Sequence, residues 1–195
     1  MEPADQRPPL RSNARRNRDR ILEVAHEVLT ANHDASLNSI AKQAGVGIAT
    51  LYRHFPSREA LVLAVYRHEV QQLADLAARL LAKHDPLTAL RWWLNRFAQD
   101  GMQKAELGHA WQAAGTTHDD LAAESYGPIV GALTSLLQAN VDAGTIRSDL
   151  DPDDVLLMLG FLRRLDPRTE WQPRAARMLD VFMDGLTAPS AERNG

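Results

Sequence analysis

The stretch GVGIATLYRHFPSREAL, Gly45 to Leu61, decides how this chain is read. Gly45 stands where a helix stops and a left-handed backbone is favoured. Val46 and Gly47 complete a three-residue turn, and a short helix follows from Ile48 to about Phe55. Pro56 ends it, because proline disfavours helical geometry in the residue before it. Upstream, Ser36 can cap a helix from Leu37 to about Ala44 by accepting from its first free N–H groups. Two short helices joined by a glycine turn have the layout of a helix-turn-helix. Leu37, Ile40, Ala41 and Ala44 line one face, against which Val46, Leu51 and Phe55 can pack. Ile48, Ala49, Tyr52 and Arg53 are left outward or at the edge.

Those outward residues suit a double helix. Gly47, Ala49 and Thr50 are small and allow close approach. Ile48, Ala49 and the Thr50 methyl can pack on a thymine methyl, and Arg53 is the candidate for a guanine edge. Tyr52 and His54 offer a hydroxyl and an imidazole to phosphate oxygens, and Arg58 adds charge. Ser36, Gly47, Ile48, Ala49, Thr50, Tyr52, Arg53, His54 and Arg58 form the candidate DNA-contacting set.

Charge is spread to match. The chain has 195 residues and a net charge of −3. Residues 1–58 hold nine Lys/Arg against six Asp/Glu, and residues 59–195 hold thirteen against nineteen. Six arginines and one acid lie between Arg7 and Arg20. Such asymmetry suggests a polyanion at one end of the chain. The arginines could form a minor-groove arm or simple solvated charge.

The rest reads as all-α, with about nine helices. Residues 1–13 are expected to be a flexible basic arm, and a helix from about Ala14 to Ala31 carries the stripe Ile21, Val24, Ala25, Val28, Leu29. Ser57 caps a long helix from Arg58 to about Lys83. Asp85-Pro86 starts another, to about Asp100. A helix over about 103–113 follows, then one over about 119–143, bent at Gly127-Pro128 and closed by Gly144. Asp151-Pro152 opens a helix that Asp166-Pro167 closes, and the last spans about 174–186. The expected division is a DNA-binding domain over 14–58, a second domain over 59–188 and a flexible tail over 189–195.

The run Ser36 to Leu61 resembles the N-terminal DNA-binding module of the TetR family of transcriptional regulators. Ile40-Ala41, Ala44-Gly45-Val46, Thr50-Leu51-Tyr52, His54-Phe55 and Ser57-Arg58-Glu59-Ala60-Leu61 carry the match. By position, Thr50, Tyr52 and His54 fall on phosphate- or base-contacting sites, and Ile48 and Ala49 on base-facing ones. The family often has lysine where Arg58 stands and a hydroxyl residue where Gly47 stands. The resemblance implies an all-helical homodimer with an N-terminal three-helix module and a C-terminal helical bundle. It further implies a near-palindromic double-stranded DNA operator, and usually release by a small-molecule effector.

The dimer has support from the residues themselves. Val155 to Leu162 is apolar around the full turn, and burial on all sides needs a second surface. A homodimer through the helices at 152–165 and 174–186 is therefore expected. For the effector pocket, Trp92, Phe97, Met102, His109, Trp111 and Tyr126 are the candidate ligand-binding residues, with Trp93 and Phe97 the strongest core members. Pockets are mostly apolar with a few orienting polar groups.

The sequence lacks HExxH, GxSxG and phosphate-binding glycine loops, and Glu106-x-x-His109 is half of a di-iron motif with no second copy. No enzyme activity, metal or cofactor is expected. The absence of cysteine removes disulfides and thiolate metal sites. No apolar run is long enough to span a bilayer or serve as a secretory signal, so a cytoplasmic protein is expected. The expected function is a repressor released by a small molecule. The alternatives are a ligand-independent or protein-gated DNA-binding dimer and, from another class, an all-helical enzyme.

Overall fold

Helix formation begins earlier than the basic N-terminus suggests. In the computed structural model, which describes residues 10–32, 34–106, 118–166 and 169–187, α1 runs Leu10–Ala31. Residues 10–13, expected in a flexible arm, are therefore helical. Cations and the lack of an acid in the first turn oppose the helix dipole there. The high helix propensity of leucine, alanine and arginine works the other way. Ile21, Leu22, Ala25 and Leu29, all buried, anchor the rest of the helix.

The second helix, α2, runs Leu37–Gln43. Its cap is Ser36, whose Oγ accepts the Ser39 N–H at 3.2 Å, a bond type worth about 1 kcal/mol. At its far end Gly45 has φ +64°. The Val46 N–H reaches the Ala41 carbonyl at 3.0 Å and the Gly45 N–H the Lys42 carbonyl at 3.2 Å. This pair of bonds is the Schellman closure, which needs a left-handed residue. The third helix, α3, is Ile48–His54, with Phe55 as C-cap ahead of Pro56. Then α4 runs Arg58–Leu81, its start capped by the Ser57 Oγ, which accepts the Ala60 N–H at 3.2 Å.

The chain divides into two compact units, one through His68 and the other from Glu69. The division falls inside α4. Leu61, Val62, Ala64 and Val65 are buried within the first unit, with Ile21, Leu22, Ile40, Leu51 and Phe55. In this unit α1 packs on α2 and α2 on α3.

The second unit adds α5 (Pro86–Glu106), α6 (His118–Asp142), α7 (Pro152–Met158), a 3-10 helix (Leu159–Arg164) and α8 (Trp171–Leu186). Asp85 caps α5 by accepting the Thr88 N–H at 2.9 Å. Asp151 caps α7 by accepting the Asp153 N–H at 2.8 Å. Gly144, φ +68°, follows the end of α6. Against α5 pack α6, α8 and the 3-10 helix, and α6 packs on α7. Trp93, Leu90, Leu94, Leu133, Leu136 and Leu159 form its interior.

Several bounds differ from expectation. The fifth helix continues through Gly101 and takes in residues 103–106; the remainder of the helix expected over 103–113 lies outside the described residues. The sixth runs through Pro128 without ending. The helix expected over 152–165 is α-helical only to Met158 and then tightens to 3-10, where Gly160 lowers helix propensity. The last helix starts at Trp171, three residues before Arg174.

One polar knot was not expected. Asn140 is fully buried; its Nδ2 donates to the carbonyls of Pro86 (2.8 Å) and Leu136 (2.9 Å). Its Oδ1 accepts the Thr145 hydroxyl at 2.7 Å. The knot ties the start of α5 to the end of α6. Among the described residues no β-strand forms, and no helix is long and apolar enough to cross a membrane.

Candidate nucleic-acid interface

The Schellman turn places α3 with its buried side fixed by Leu51 and Phe55. Its other side is open. Tyr52 is 48% exposed and Arg53, Ala49 and Gly47 are exposed; Ile48, Thr50 and His54 are half-buried. The outward face anticipated from the sequence is thus gathered on one short helix. Its tip is small: a Cβ added at Gly47 would meet nothing within 4 Å. Gly47 caps α3 in extended geometry without a side-chain bond.

Three of the candidates already have work within the fold. Arg53 folds along its own helix, its Nε donating to the Ala49 carbonyl (3.2 Å) and its Nη2 to the Thr50 Oγ1 (3.0 Å). Reaching a base edge requires releasing both bonds. Ser36 is exposed, but its hydroxyl oxygen is committed to the α2 cap. The Arg58 guanidinium is half-buried and donates to the Ala35 carbonyl, tying the start of α4 to the loop before α2.

Two arginines outside the candidate set also reach this module. The Arg18 guanidinium stands 5.4 Å above the Phe55 ring. That of Arg20 lies against Gly45, so close that a Cβ there would come within 2.7 Å of its Nη2. The sequence marks the arginine run but not where a helical N-terminus carries it.

In the second unit the candidate ligand residues scatter. Trp92, expected to line a cavity, is 52% exposed, and its ring lies 4.4 Å from that of His84. Adjacent helical residues point about 100° apart, and Trp93 takes the inward place. Tyr126, also expected at the pocket, is exposed and donates its hydroxyl to Asp153 Oδ1 at 2.5 Å. That bond to a carboxylate raises the Tyr126 phenol above its usual range. Phe97 is half-buried and stacks on Trp93 with centroids 5.5 Å apart, and Met102 is buried. His109 and Trp111 lie outside the described residues.

The two helices expected to dimerise each bury one stripe and leave another open. Val155, Leu159 and Leu162 are buried, as are Ala175, Leu179, Met183 and Leu186. On the opposite sides Leu157 is 78% and Val181 73% exposed, with Met158 and Met178 also out. Beside them runs an open groove of about 540 Å³ lined by Phe161, Arg174, Arg177, Met178, Val181 and Phe182.

Residues 21–65 match the family described as bacterial regulatory proteins, tetR family. Residues 85–188 match the family described as transcriptional regulator SbtR-like, C-terminal domain. Among solved structures, the TetR transcriptional regulator SCO0520 from Streptomyces coelicolor is 40% identical, with a TM-score of 0.78 over 89% of this chain and 99% of that one. A TetR transcription regulatory protein from Mycobacterium vanbaalenii is 32% identical, with a TM-score of 0.76 over 92% of this chain and 100% of that one. An HTH-type transcriptional regulator of Staphylococcus aureus (strain USA300) is 38% identical over 63 residues, 31% of this chain and 34% of that protein. The chain thus spans about a third of the length of that relative.

Proposed function

The chain belongs to the TetR family of transcriptional regulators, and on that footing we propose that it is a homodimeric repressor released from a near-palindromic operator by a small molecule. The observation that carries the reading is the open face of α3, where Tyr52 and Arg53 stand beside a tip of small residues on a helix-turn-helix. Each protomer lays α3 in a major groove, and the two-fold axis spaces the helices by about one turn of DNA, roughly 34–36 Å. Base edges are read by Ile48, Ala49, Thr50 and Arg53; Ser36, Gly47, Tyr52, His54 and Arg58 hold the backbone. The apolar stripes through Leu157 and Val181 supply the dimer contact. The effector sits in the C-terminal helices and displaces α4, whose first residue is Arg58. The protein acts in the cytoplasm, where bacterial DNA lies.

Two substitutions separate the roles on α3. Removing the Tyr52 hydroxyl (Tyr52→Phe) should weaken a duplex selected from a random pool and an unrelated duplex alike. The expected factor is roughly five, for about 1 kcal/mol of hydrogen bond. Arg53→Ala should instead cost about 1–3 kcal/mol at one base pair, read by changing each base pair of the selected site in turn. Equal losses on selected and unrelated duplexes would refute base reading by Arg53.

Release is tested by a melting screen of compounds on the free protein, repeated with the selected duplex present. An effector at a hundred times its Kd stabilises the free protein by about 2.7 kcal/mol. Linkage requires that DNA weaken it by the same factor by which it weakens DNA. Compounds that stabilise both forms equally are not effectors, and a screen yielding only those rejects ligand release.

A further inference from the structure

The basic turn of α1 touches the helix-turn-helix at two places, and they bracket α3. Arg18 sits over Phe55, the residue that ends α3. Arg20 sits against Gly45, two residues before the Gly47 cap that starts it. The seven residues of α3 rise about 10.5 Å, close to the roughly 12 Å width of a major groove. The two guanidinium groups therefore lie near the two ends of the reading helix. A helix lying in that groove has a sugar–phosphate row on either side.

Neither group is positioned for the bases. One is held over an aromatic ring, a contact that keeps the cation at the C-terminal end of α3. The other rests on the backbone of the turn, a place open to it because residue 45 has no side chain. Both residues are exposed, so the charge stays available to a ligand. Only one acid, Asp19, accompanies the five arginines of Leu10–Arg20. A guanidinium offers a planar fork that fits phosphate oxygens, and ordering it beforehand lowers the entropy lost on binding.

We propose that Arg18 and Arg20 are phosphate contacts that clamp the duplex at both ends of α3, setting its depth in the groove without reading sequence. The α1 arginines thus act from a helix rather than as an arm threaded into the minor groove. The inference rests on the DNA-binding reading above, and the test keeps the two apart.

The test uses the full-length protein, a duplex selected from a random pool and an unrelated duplex of equal length. Affinity is followed between about 50 and 300 mM NaCl. Each phosphate neutralised contributes about 0.9 to the slope of log affinity against log salt. Arg18→Gln with Arg20→Gln should make the slope shallower by about 1.8 per protomer engaged, equally on both duplexes. Arg18→Lys with Arg20→Lys should keep it. Arg20→Gln alone, which gives up no ring contact, should remove about 0.9 and carries the test if the double variant is unfolded. An unchanged slope in a folded glutamine variant overturns the proposal. So does a loss confined to particular base pairs, which would mark base reading, or an equal loss in the lysine variant. Wild-type protein showing no salt-sensitive binding of either duplex defeats the DNA-binding reading itself, a result distinct from all of these.

Discussion

Leu157→Glu combined with Val181→Glu is expected to convert the protein to a folded monomer and to weaken operator binding by about 10²–10⁴-fold. The argument starts from exposure. In a single chain Leu157 and Val181 are 78% and 73% exposed, while the stripes behind them are buried. A substitution at such a position changes the stability of the protomer by about 0.5 kcal/mol at most. In a dimer closed through these helices the same two positions become interior. Each new carboxylate would then lose its water without a designed partner, which costs several kcal/mol per ion. Two α3 helices joined in one dimer engage their half-sites with an effective concentration of the millimolar order. Separated protomers lose that gain, although each keeps an intact α3. Light scattering after size exclusion gives the assembly state, and circular dichroism gives the helix content. A double variant that remains dimeric would place the interface elsewhere. Wild-type protein that is already monomeric at micromolar concentration would end the dimer reading.

The largest loss of stability is expected from Trp93→Ala. Trp93 is the bulkiest of the fully buried side chains. Its indole N–H donates to the Leu73 carbonyl of α4 at 2.8 Å, and its ring stacks on Phe97. Truncation leaves a cavity among Leu90, Leu94 and their neighbours and removes a buried donor. Changes of this kind cost about 3–5 kcal/mol. In a chain of 195 residues that corresponds to a fall in Tm of roughly 10 °C. Trp93→Phe retains most of the volume and loses the indole bond, so its cost should be smaller, about 1–3 kcal/mol. Trp92→Ala, one residue away and half exposed, is the control and should lie within a few degrees of wild type. Thermal melts at one fixed protein concentration make the comparison. Equal falls for Trp92→Ala and Trp93→Ala would contradict the inward place of Trp93.

What the sequence announced was the chemistry of helix ends. Ser36, Ser57, Asp85 and Asp151 cap the helices expected of them, because each bond spans only two or three residues. Gly45 and Gly144 take the left-handed backbone for the same local reason. The 3.6-residue period put Leu51 and Trp93 inside and Tyr52 outside. Partners distant in sequence were not legible. Of the two acceptors of the Asn140 amide, Leu136 is local, but Pro86 lies 54 residues away and has no local signal. The Tyr126 hydroxyl likewise bonds to Asp153, 27 residues on, with no local signal for that pairing. Trp92 is off the buried stripe of α5, but only the turn carrying His84 decides that it meets a surface ring. The α1 start was missed because a run of arginines without a cap looks solvated whether or not it is helical. Within the candidate interface, exposure on α3 was readable. The internal bonds of Arg53 and Arg58 depend on rotamers that no spacing rule fixes.

The two glycines flanking Val46 stand in opposite relation to chance variation. At position 45 the backbone angle of +64° penalises most other residues, although the neighbouring Arg20 guanidinium is the end of a flexible side chain and can move aside, so a selected library should keep glycine there with asparagine or aspartate as the best-tolerated replacements. Position 47 has an ordinary φ of −68° and empty space where a side chain would go. Serine or threonine there would cap α3 and present a hydroxyl at its leading edge. The turn and the tip thus stand side by side with opposite tolerance, and on the DNA-binding reading a hydroxyl gained at position 47 would tighten the grip on the sugar–phosphate backbone without altering which sequence is preferred.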